Sequence, residues 1–393
     1  MLWFGFGFNG FGQIYAREET VTEGTTDAHE VKVSCPTLVK KNVNKCTCKH
    51  NSTELQQIQA SWSRRISLQL KDDSCVFLDG FSGLGAKKCC GFVEQSHRCI
   101  DAFNTESHLI LAFRDRTEVW DFEKSENSPV WAAIQGHIWK HLASTKLPLV
   151  PEGYISLKHL LSSLIPHLQA KSLALGPEHV ILLSATGAVY TWGQGSHGQL
   201  GHGILTSEEE PRAVEALWGV PVKAVAAGGW HSCCVSATAD LYVWGWNEAG
   251  QLGLPSRGVK KIQQQSSQDK DESTQTEDKE VFISIQAFPA LLDLNPQCEI
   301  KAVSSEGSLY TWGWGEYGQL GHQNLISLDE PQCVEYFQKH QLHVTDVVCG
   351  AWNTFTAVLK KEEIQKSPYD NKRGLCTAYK EVSLCTLECL EGV

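Results

Sequence analysis

The sequence predicts an all-β protein, a propeller whose blades are small antiparallel sheets set around a central channel. Three observations carry this. A cassette rich in glycine and tryptophan recurs, as "AVYTWGQGSHGQLGHG" at 188–203, "LYVWGWNEAGQLG" at 241–253 and "LYTWGWGEYGQLGH" at 309–322. A turn followed by an apolar strand precedes most cassettes, as "GPEHVILL" at 176–183 and "GGWHSCCV" at 228–235. The period is close to one blade, since Trp192 and Trp244 stand 52 residues apart. Strand-turn-strand units of about 50 residues cannot bury both faces alone, and they do so by packing radially.

Within a cassette, Leu/Val-Tyr-x-Trp alternates with period two and is favoured in a strand by its aromatic residues. The glycines that follow are expected to shape tight turns: Gly7 and Gly12, Gly193 and Gly198, Gly245 and Gly250, Gly313 and Gly318. One column of the repeat holds Asn9, Gly195, Asn247 and Gly315. Gly and Asn visit the left-handed backbone region at least cost, so this column is expected to have φ > 0. His179 and His231 recur once per block, which fits a hydrogen-bonding role inside each blade better than catalysis.

The repeats are clear over 176–359 and degenerate over 1–125, where "ASWSRRISLQL" (60–70), "CVFLDGFSGLG" (75–85), "TESHLILAF" (105–113) and "TEVWDF" (117–122) are weak copies. Residues 123–175 read as a connector or a degraded blade. Residues 258–280 are polar, carry Asp269, Asp271, Glu272, Glu277, Asp278 and Glu280, and read as a disordered acidic insert with phosphorylation-tuned docking as the lesser alternative. The propeller therefore spans 1–359, and 360–393 matches neither half of the repeat and is expected to be a disordered tail.

Two irregularities stand out. Val225 and Leu241 are separated by 16 positions, but the matching Val303 and Leu309 are separated by six, so about ten residues of one blade are missing. One truncated blade, short of about a strand, is expected, and the join near Ser304 reads as a shortened transcript or gene-model error that also accounts for the tail. The opening "LWFGFGFNGFGQ" (2–13) is a cassette without a preceding block, and "GAWNTFTAVL" (350–359) is a block without a following cassette. Together they predict one blade built from both ends of the chain, with Phe6, Phe8, Trp352 and Phe355 closing the ring.

Composition limits the functions available. Lys plus Arg is 34 against 45 Asp plus Glu, a net charge of −11. That balance repels phosphate backbones and argues against direct sequence-specific DNA binding. No basic segment with a cleavage site precedes an apolar run, and the glycines of 2–12 make a poor membrane helix, so neither export nor a membrane is expected. The 15 cysteines are then expected as free thiols. Gly193-x-Gly195-x-x-Gly198 and Gly313-x-Gly315-x-x-Gly318 match a dinucleotide fingerprint in letters, but no helical pattern follows to hold a pyrophosphate. Cys46-x-Cys48-x-His50, completed by Cys35 or Cys89-Cys90, is a weak zinc pattern with ordinary thiols as the simpler reading. No nucleophile, base and orienting group can be assembled, so no catalytic residue, cofactor or metal is assigned. His197, His202, Trp230 and His322 fall at turns on one face and are the candidates for contact with a partner, with solvated loop histidines as the plainer alternative.

The Tyr-x-Trp-Gly-x-Gly-x-x-Gly-Gln-Leu-Gly cassettes and Gly-x-x-His blocks resemble the regulator of chromosome condensation repeat family. The resemblance implies a propeller of about seven blades. It also implies a non-enzymatic, nuclear, chromosome-associated adaptor, with some of the protein cytoplasmic. Relatives of the type it resembles partner a Jumonji-type Fe(II)/2-oxoglutarate oxygenase through the N-terminal half. They are linked to histone H3 lysine methylation, satellite-repeat repression, spindle organisation and chromosome segregation. Two alternatives stay open: a guanine-nucleotide exchange factor for a Ran-like small GTPase, and a tubulin- or spindle-facing adaptor without chromatin contact.

Overall fold

The computed structural model describes residues 1–15, 31–39, 57–69, 74–81, 91–124, 128–134, 147–150, 153–156, 161–266, 281–292 and 307–361. Strands β1 (Leu2–Phe8) and β2 (Lys32–Leu38) come first. Blade 1 is β3 (Gln57–Ala60), β4 (Arg64–Gln69), β5 (Cys75–Gly80) and β6 (Gly91–Phe92). Blade 2 is β7 (Asp101–Asn104), β8 (His108–Ala112), β9 (Arg116–Asp121) and β10 (Trp131–Ile134). The described residues of blade 3 give three short strands, β11 (Leu149–Val150), β12 (Gly153–Tyr154) and β13 (Ser162–Ser163). Blade 4 is β14 (Ala170–Leu175), β15 (His179–Ser184), β16 (Val189–Gly193) and β17 (Glu208–Ala213). Blade 5 is β18 (Val222–Ala227), β19 (His231–Ser236), β20 (Leu241–Trp246) and β21 (Ile285–Leu291). The described residues of blade 6 give β22 (Tyr310–Gly313) and β23 (Leu328–Cys333). Blade 7 combines β24 (Leu342–Cys349) and β25 (Asn353–Lys360) with β1 and β2, in the order β2-β1-β25-β24. All the pairings are antiparallel, and the seven sheets match the expected propeller.

The core lies between sheets. Successive side chains of a strand point to opposite faces. In β8, Leu109 and Leu111 therefore face blade 1 beside Ile66 and Leu68, while Ile110 faces blade 3 beside Val150 and Ile155. In β15, Leu182 joins Tyr154 and Trp192 toward blade 3, and Ile181 and Leu183 join Val222 and Trp244 toward blade 5. Leu252 and Trp312 link blades 5 and 6, and Phe4, Phe6, Leu309 and Phe337 link blades 6 and 7. Trp3, Ile14, Phe355 and Ile58 link blade 7 back to blade 1. Strands buried on both faces carry uncharged, largely apolar residues without alternation, as in "HVILLS" and "HSCCVS", which are buried throughout.

Ring closure is as expected. β1 pairs with β25 from Leu2↔Val358 to Gly7↔Asn353. Phe6 and Phe355 are fully buried, whereas Phe8 and Trp352 are half-buried at one end of the blade.

Several expectations are corrected. The column Asn9, Gly195, Asn247 and Gly315 does not adopt positive φ. Its neighbours do: Gly7, Gly193, Gly245 and Gly313 have φ of 109°, 104°, 112° and 100°, and Gly12, Gly198, Gly250 and Gly318 lie between 75° and 84°. Close approach explains the column instead. A Cβ on Gly195 would sit 1.9 Å from the Thr206 carbonyl, and one on Gly315 would sit 2.2 Å from that of Ile326. Where Asn stands, its amide ties the turn together: Asn247 Oδ1 accepts from Leu252 N, and Nδ2 donates to the carbonyls of Leu254 and Ile283. The stretch 123–175 holds β10, blade 3 and β14, so it is a degraded blade with its flanking strands. The insert expected as disordered from 258 begins with helix α1 (Arg257–Ser266), since Ser256 Oγ caps Val259 N at 3.4 Å. Its acidic residues 269–280, the tail 362–393, the shortened stretch 293–306 and the Cys46, Cys48, His50, Cys89 and Cys90 set lie outside the described residues. Six described cysteines are free, but Cys349 is disulfide-bonded, against the expectation of thiols throughout.

Closure by β1 makes Phe6 a load on the whole ring. Phe6→Ala is expected to lower global stability by about 3–5 kcal/mol, against about 1 kcal/mol for Phe8→Ala, as measured by urea unfolding. Equal small effects would contradict the closure.

Candidate functional site: an aromatic face on the ring

The turn that ends each cassette is a docking device. Its glutamine side chain folds back to accept from the backbone N–H two residues earlier, in Phe11–Gln13, His197–Gln199, Ala249–Gln251 and Tyr317–Gln319, at 2.9 to 3.0 Å. This turns the glutamine carbonyl toward the next blade. The Gln199 carbonyl accepts from Trp244 Nε1 and Ser232 Oγ, each at 2.8 Å. The Gln251 carbonyl accepts from Trp312 Nε1 at 3.2 Å, and that of Gln319 accepts from Thr354 Oγ1 at 2.9 Å. The glycine two residues on lets the next ring pack: a Cβ on Gly201 would lie 2.9 Å from Trp244, and one on Gly321 would lie 2.9 Å from Phe6. Blade 3 lacks such a turn. There Trp192 Nε1 donates to the Tyr154 hydroxyl instead, at 3.1 Å.

The recurring histidines belong to the same interfaces. Ser232 donates its one proton to Gln199, so His179 Nε2–H donates to Ser232 Oγ at 2.8 Å. Burial holds both imidazoles neutral, pushing His179 down to about 4 and His231 down to about 3. Both are neutral and sealed, and His179 is hydrogen-bonded as well, so their role is structural.

The same turns set an aromatic face. The residue after the glycine at φ 100–112° that ends the third strand (Gly7, Gly80, Gly193, Gly245, Gly313) is Phe8, Phe81, Trp246 or Trp314, with Gln194 the polar exception. Its N–H bonds the carbonyl that precedes the paired strand, as in Phe8 to Trp352, Phe81 to Ser63 and Trp246 to Trp230, so these side chains emerge at one end of the ring. From blade 6 across blade 7 to blade 1 the rings run in contact. Tyr317 stacks on Trp352 with centroids 4.9 Å apart, and Trp314 meets Trp352 at 5.7 Å. Phe8 touches Tyr317 and Trp352, and Phe11 bridges to Trp62 and Phe81 at 5.3 and 5.6 Å. Trp62 and Phe81 are 37% and 38% exposed, enough to offer rings to solvent. Lys32 lies over Tyr317 at 4.9 Å, so a cation edges the apolar surface there, and the buried Arg64 backs Phe81 at 5.3 Å. A smaller group, His197, Trp230 and Trp246, sits between blades 4 and 5 with centroids 5.3 to 5.9 Å apart.

Of the residues expected to face a partner, Trp230 and His197 are in this smaller group. His202 and His322 are not displayed: their Nε2 atoms bond Thr191 and Thr311 at 3.0 and 2.9 Å and brace the turns from inside. Trp62, Phe81, Phe11, Trp314 and Tyr317 were missed. For Phe81 and Trp314 the signal was an aromatic residue directly after the cassette's first glycine. Among the described residues no cluster of three or more His, Cys, Asp or Glu is placed to hold a metal ion.

Comparison with known proteins gives the arrangement a family. Profiles of the regulator of chromosome condensation (RCC1) repeat match residues 186–235 and 306–357, and a second profile of that repeat matches 170–199 and 222–251. RCC1 domain-containing protein 1 of Mus musculus is 38% identical over 400 aligned residues, covering 92% of this chain and 98% of that protein. The chain belongs to the RCC1 repeat family. The Homo sapiens RCC1 domain-containing protein 1 is similar at 37%, covering 91% and 97%. Among solved structures, Prp20p from Saccharomyces cerevisiae superposes with a TM-score of 0.61 over 96% of this chain and 95% of that one, at 14% identity, which shows a shared RCC1 propeller fold.

The buried histidines predict an acid limit. Below pH 6.5 the unfolded chain binds protons that folded His179 and His231 refuse until about pH 4 and about pH 3. Their contribution is therefore full above about pH 7 and is lost as pH falls through 6.5. Between pH 7 and 5, wild-type stability should fall by about 2 kcal/mol more than that of His231→Asn, the residue type at the matching position 353. Parallel pH profiles from urea melts would refute this.

Proposed function

We propose that the protein is a non-catalytic adaptor whose aromatic face docks a Jumonji-type 2-oxoglutarate oxygenase and brings it to chromatin. Its output is then the methylation state of histone H3 lysines and repression of satellite repeats, with a further part in spindle organisation and chromosome segregation. It works in the nucleus on chromosomes, with a cytoplasmic share. The aromatic face is the observation that carries this reading. Contiguous half-buried Trp, Tyr and Phe rings with a lysine at their edge have the composition of a protein-binding surface. Phe8, Phe11, Trp62 and Phe81 come from the N-terminal part of the chain, which fits a partner held there. The full-length similarity to RCC1 domain-containing protein 1 supports the same assignment. Prp20p, of the same fold, is described by its binding to Gsp1p and histones, which supports a chromatin setting and keeps GTPase exchange as the reading to test against.

The test uses the intact protein and the variant Trp62→Ala/Phe81→Ala. Affinity capture from nuclei, read by mass spectrometry, should recover the oxygenase with wild type and lose at least about tenfold with the variant, while its melting temperature stays within a few degrees of wild type. Equal capture by both would dismiss the face as the docking site. Acceleration of nucleotide release from a Ran-like GTPase by micromolar protein would favour exchange instead.

A further inference from the structure

The outer strands of blades 4, 5, 6 and 7 (β17, β21, β23 and β2) share a register. Each carries a proline just before the residue that faces Thr191, Val243, Thr311 or Gly5 of its partner strand: Pro211, Pro289, Pro331 and Pro36. The residue before that proline is Glu210 in blade 4 and Glu330 in blade 6, both exposed. In blade 5 it is Phe288, 53% exposed. A solvent-facing place that two blades give to a carboxylate therefore holds a large ring in blade 5. The ring is seated on blade 4. A Cβ on Gly203 would lie 2.0 Å from Phe288 Cζ, and the Gly203 N–H donates to the Ala287 carbonyl at 2.9 Å. Between blades 6 and 7 the matching N–H is that of Gln323, which donates to the Ser34 carbonyl at 3.0 Å, with Cys35 in the place of Phe288. Gln323 holds the same left-handed backbone, at φ 62° against 77° for Gly203. Torsion alone does not require glycine at 203; the ring of Phe288 does.

Phe288 belongs to an apolar stripe. Leu291 is paired with Tyr242, which packs toward blade 4, and Ile285 lies against Gly198 of blade 4. Ile285, Phe288 and Leu291 thus share the side of β21 that faces blade 4, and all three are exposed, as are Ile204 and Leu205 directly after Gly203. Trp218, next to the short helix Glu215–Leu217 that packs on β21, is 69% exposed. From Ile285 to Leu291 the stripe runs about 20 Å, the length of a helix of about 13 residues. Its border is acidic. β17 begins Glu208-Glu209-Glu210 and Glu215 follows, while the one cation in 204–218, Arg212, is paired with Glu208 at 2.6 Å. The insert 267–280 just before β21 has no large apolar residue and carries six acids against two lysines, so by composition it complements neither the stripe nor its border. Pro211 and Pro289 interrupt the donors of both outer strands, which disfavours an added β-strand. An occupant that meets the stripe through side chains, with cations at its margin, fits instead.

We propose that this stripe docks an amphipathic helix of a partner protein. Its apolar residues, at i, i+3, i+4 and i+7, cover Phe288, Leu205 and Trp218, and Lys or Arg on its flanks face Glu209, Glu210 and Glu215. The stripe lies on the rim of blade 5 and shares no residue with the aromatic face, so the two surfaces can be tested apart.

The probe is a peptide of about 14 residues with Leu at that helical spacing and Lys elsewhere, titrated with the intact protein and read by fluorescence anisotropy. Phe288→Glu, the residue type at the matching positions 210 and 330, should weaken binding at least about tenfold with a melting temperature near that of wild type. Trp218→Ala should weaken it in the same direction, and Glu209→Lys/Glu210→Lys about fivefold. A peptide of the same composition in scrambled order, and one with Glu for every Lys, should each bind at least about tenfold more weakly. Trp62→Ala/Phe81→Ala should change nothing. Absence of binding, unchanged affinity in Phe288→Glu, or equal affinity for the scrambled peptide would overturn the proposal. Loss of binding in Trp62→Ala/Phe81→Ala would move the helix to the aromatic face, and a concentration-dependent dimer abolished by Phe288→Glu would give the stripe to a second copy; either result refutes it.

Discussion

Where blades 4, 5 and 6 meet the blades that follow them, one backbone carbonyl from each holds the ring together. It is that of Gln199, Gln251 and Gln319, presented by a turn whose own glutamine side chain locks its shape. Each reaches into the next blade and meets an indole N–H, a hydroxyl or both. A buried carbonyl left unpaired costs about 1–3 kcal/mol, so each blade needs its successor. The glycine that follows is part of the same device, because a side chain there would push the neighbouring aromatic ring away. Blade 7 reaches blade 1 through a variant of it: Gln13 Nε2 bonds the Trp62 carbonyl at 2.8 Å, and Arg65 reaches the Ile14 carbonyl at 3.4 Å.

That dependence explains the N-terminus. A head-to-tail array of blades leaves one unpaired edge at each end. Pairing β1 with β25 removes both and puts Phe4 and Phe6 against blade 6, and Trp3 against Phe355, with blade 1 beyond. The same closure brings Phe8 and Phe11 to the aromatic face, so the contiguous face exists only when the ring is shut. Blade 3 shows how far the device bends: with no Gln-Leu-Gly turn, Tyr154 supplies an oxygen to Trp192, and Val180 replaces the hydroxyl residue.

The repeat made the architecture legible. Alternation and spacing gave the strands, and the orphan half-cassettes at the two ends gave the closure. What was not legible depends on contacts between distant parts. The glycine or asparagine column was assigned to backbone torsion, but its cause is the approach of a later strand to Gly195 and Gly315. His202 and His322 look like surface loop histidines in sequence because Thr191 and Thr311, eleven residues earlier, give no sign of bonding them. The buried Arg64 and Arg65 were read as a weak copy of a block; Arg65 is paired with Asp79 in the strand it faces. The aromatic face was half visible, since each ring sits at a fixed place in the repeat, but only the fold shows that three blades bring them into contact.

The account rests on blade-to-blade docking at the turn, and a double-mutant cycle between Gly201 and Trp244 measures it most directly. Gly201→Ala intrudes on the indole and Trp244→Leu removes it, so once the indole is gone the added methyl should cost less. Urea unfolding of the four proteins should give a coupling energy of about 1 kcal/mol or more. Additive effects, within about 0.3–0.5 kcal/mol, would mean that the two residues do not hold the blades together and that the ring depends on something else.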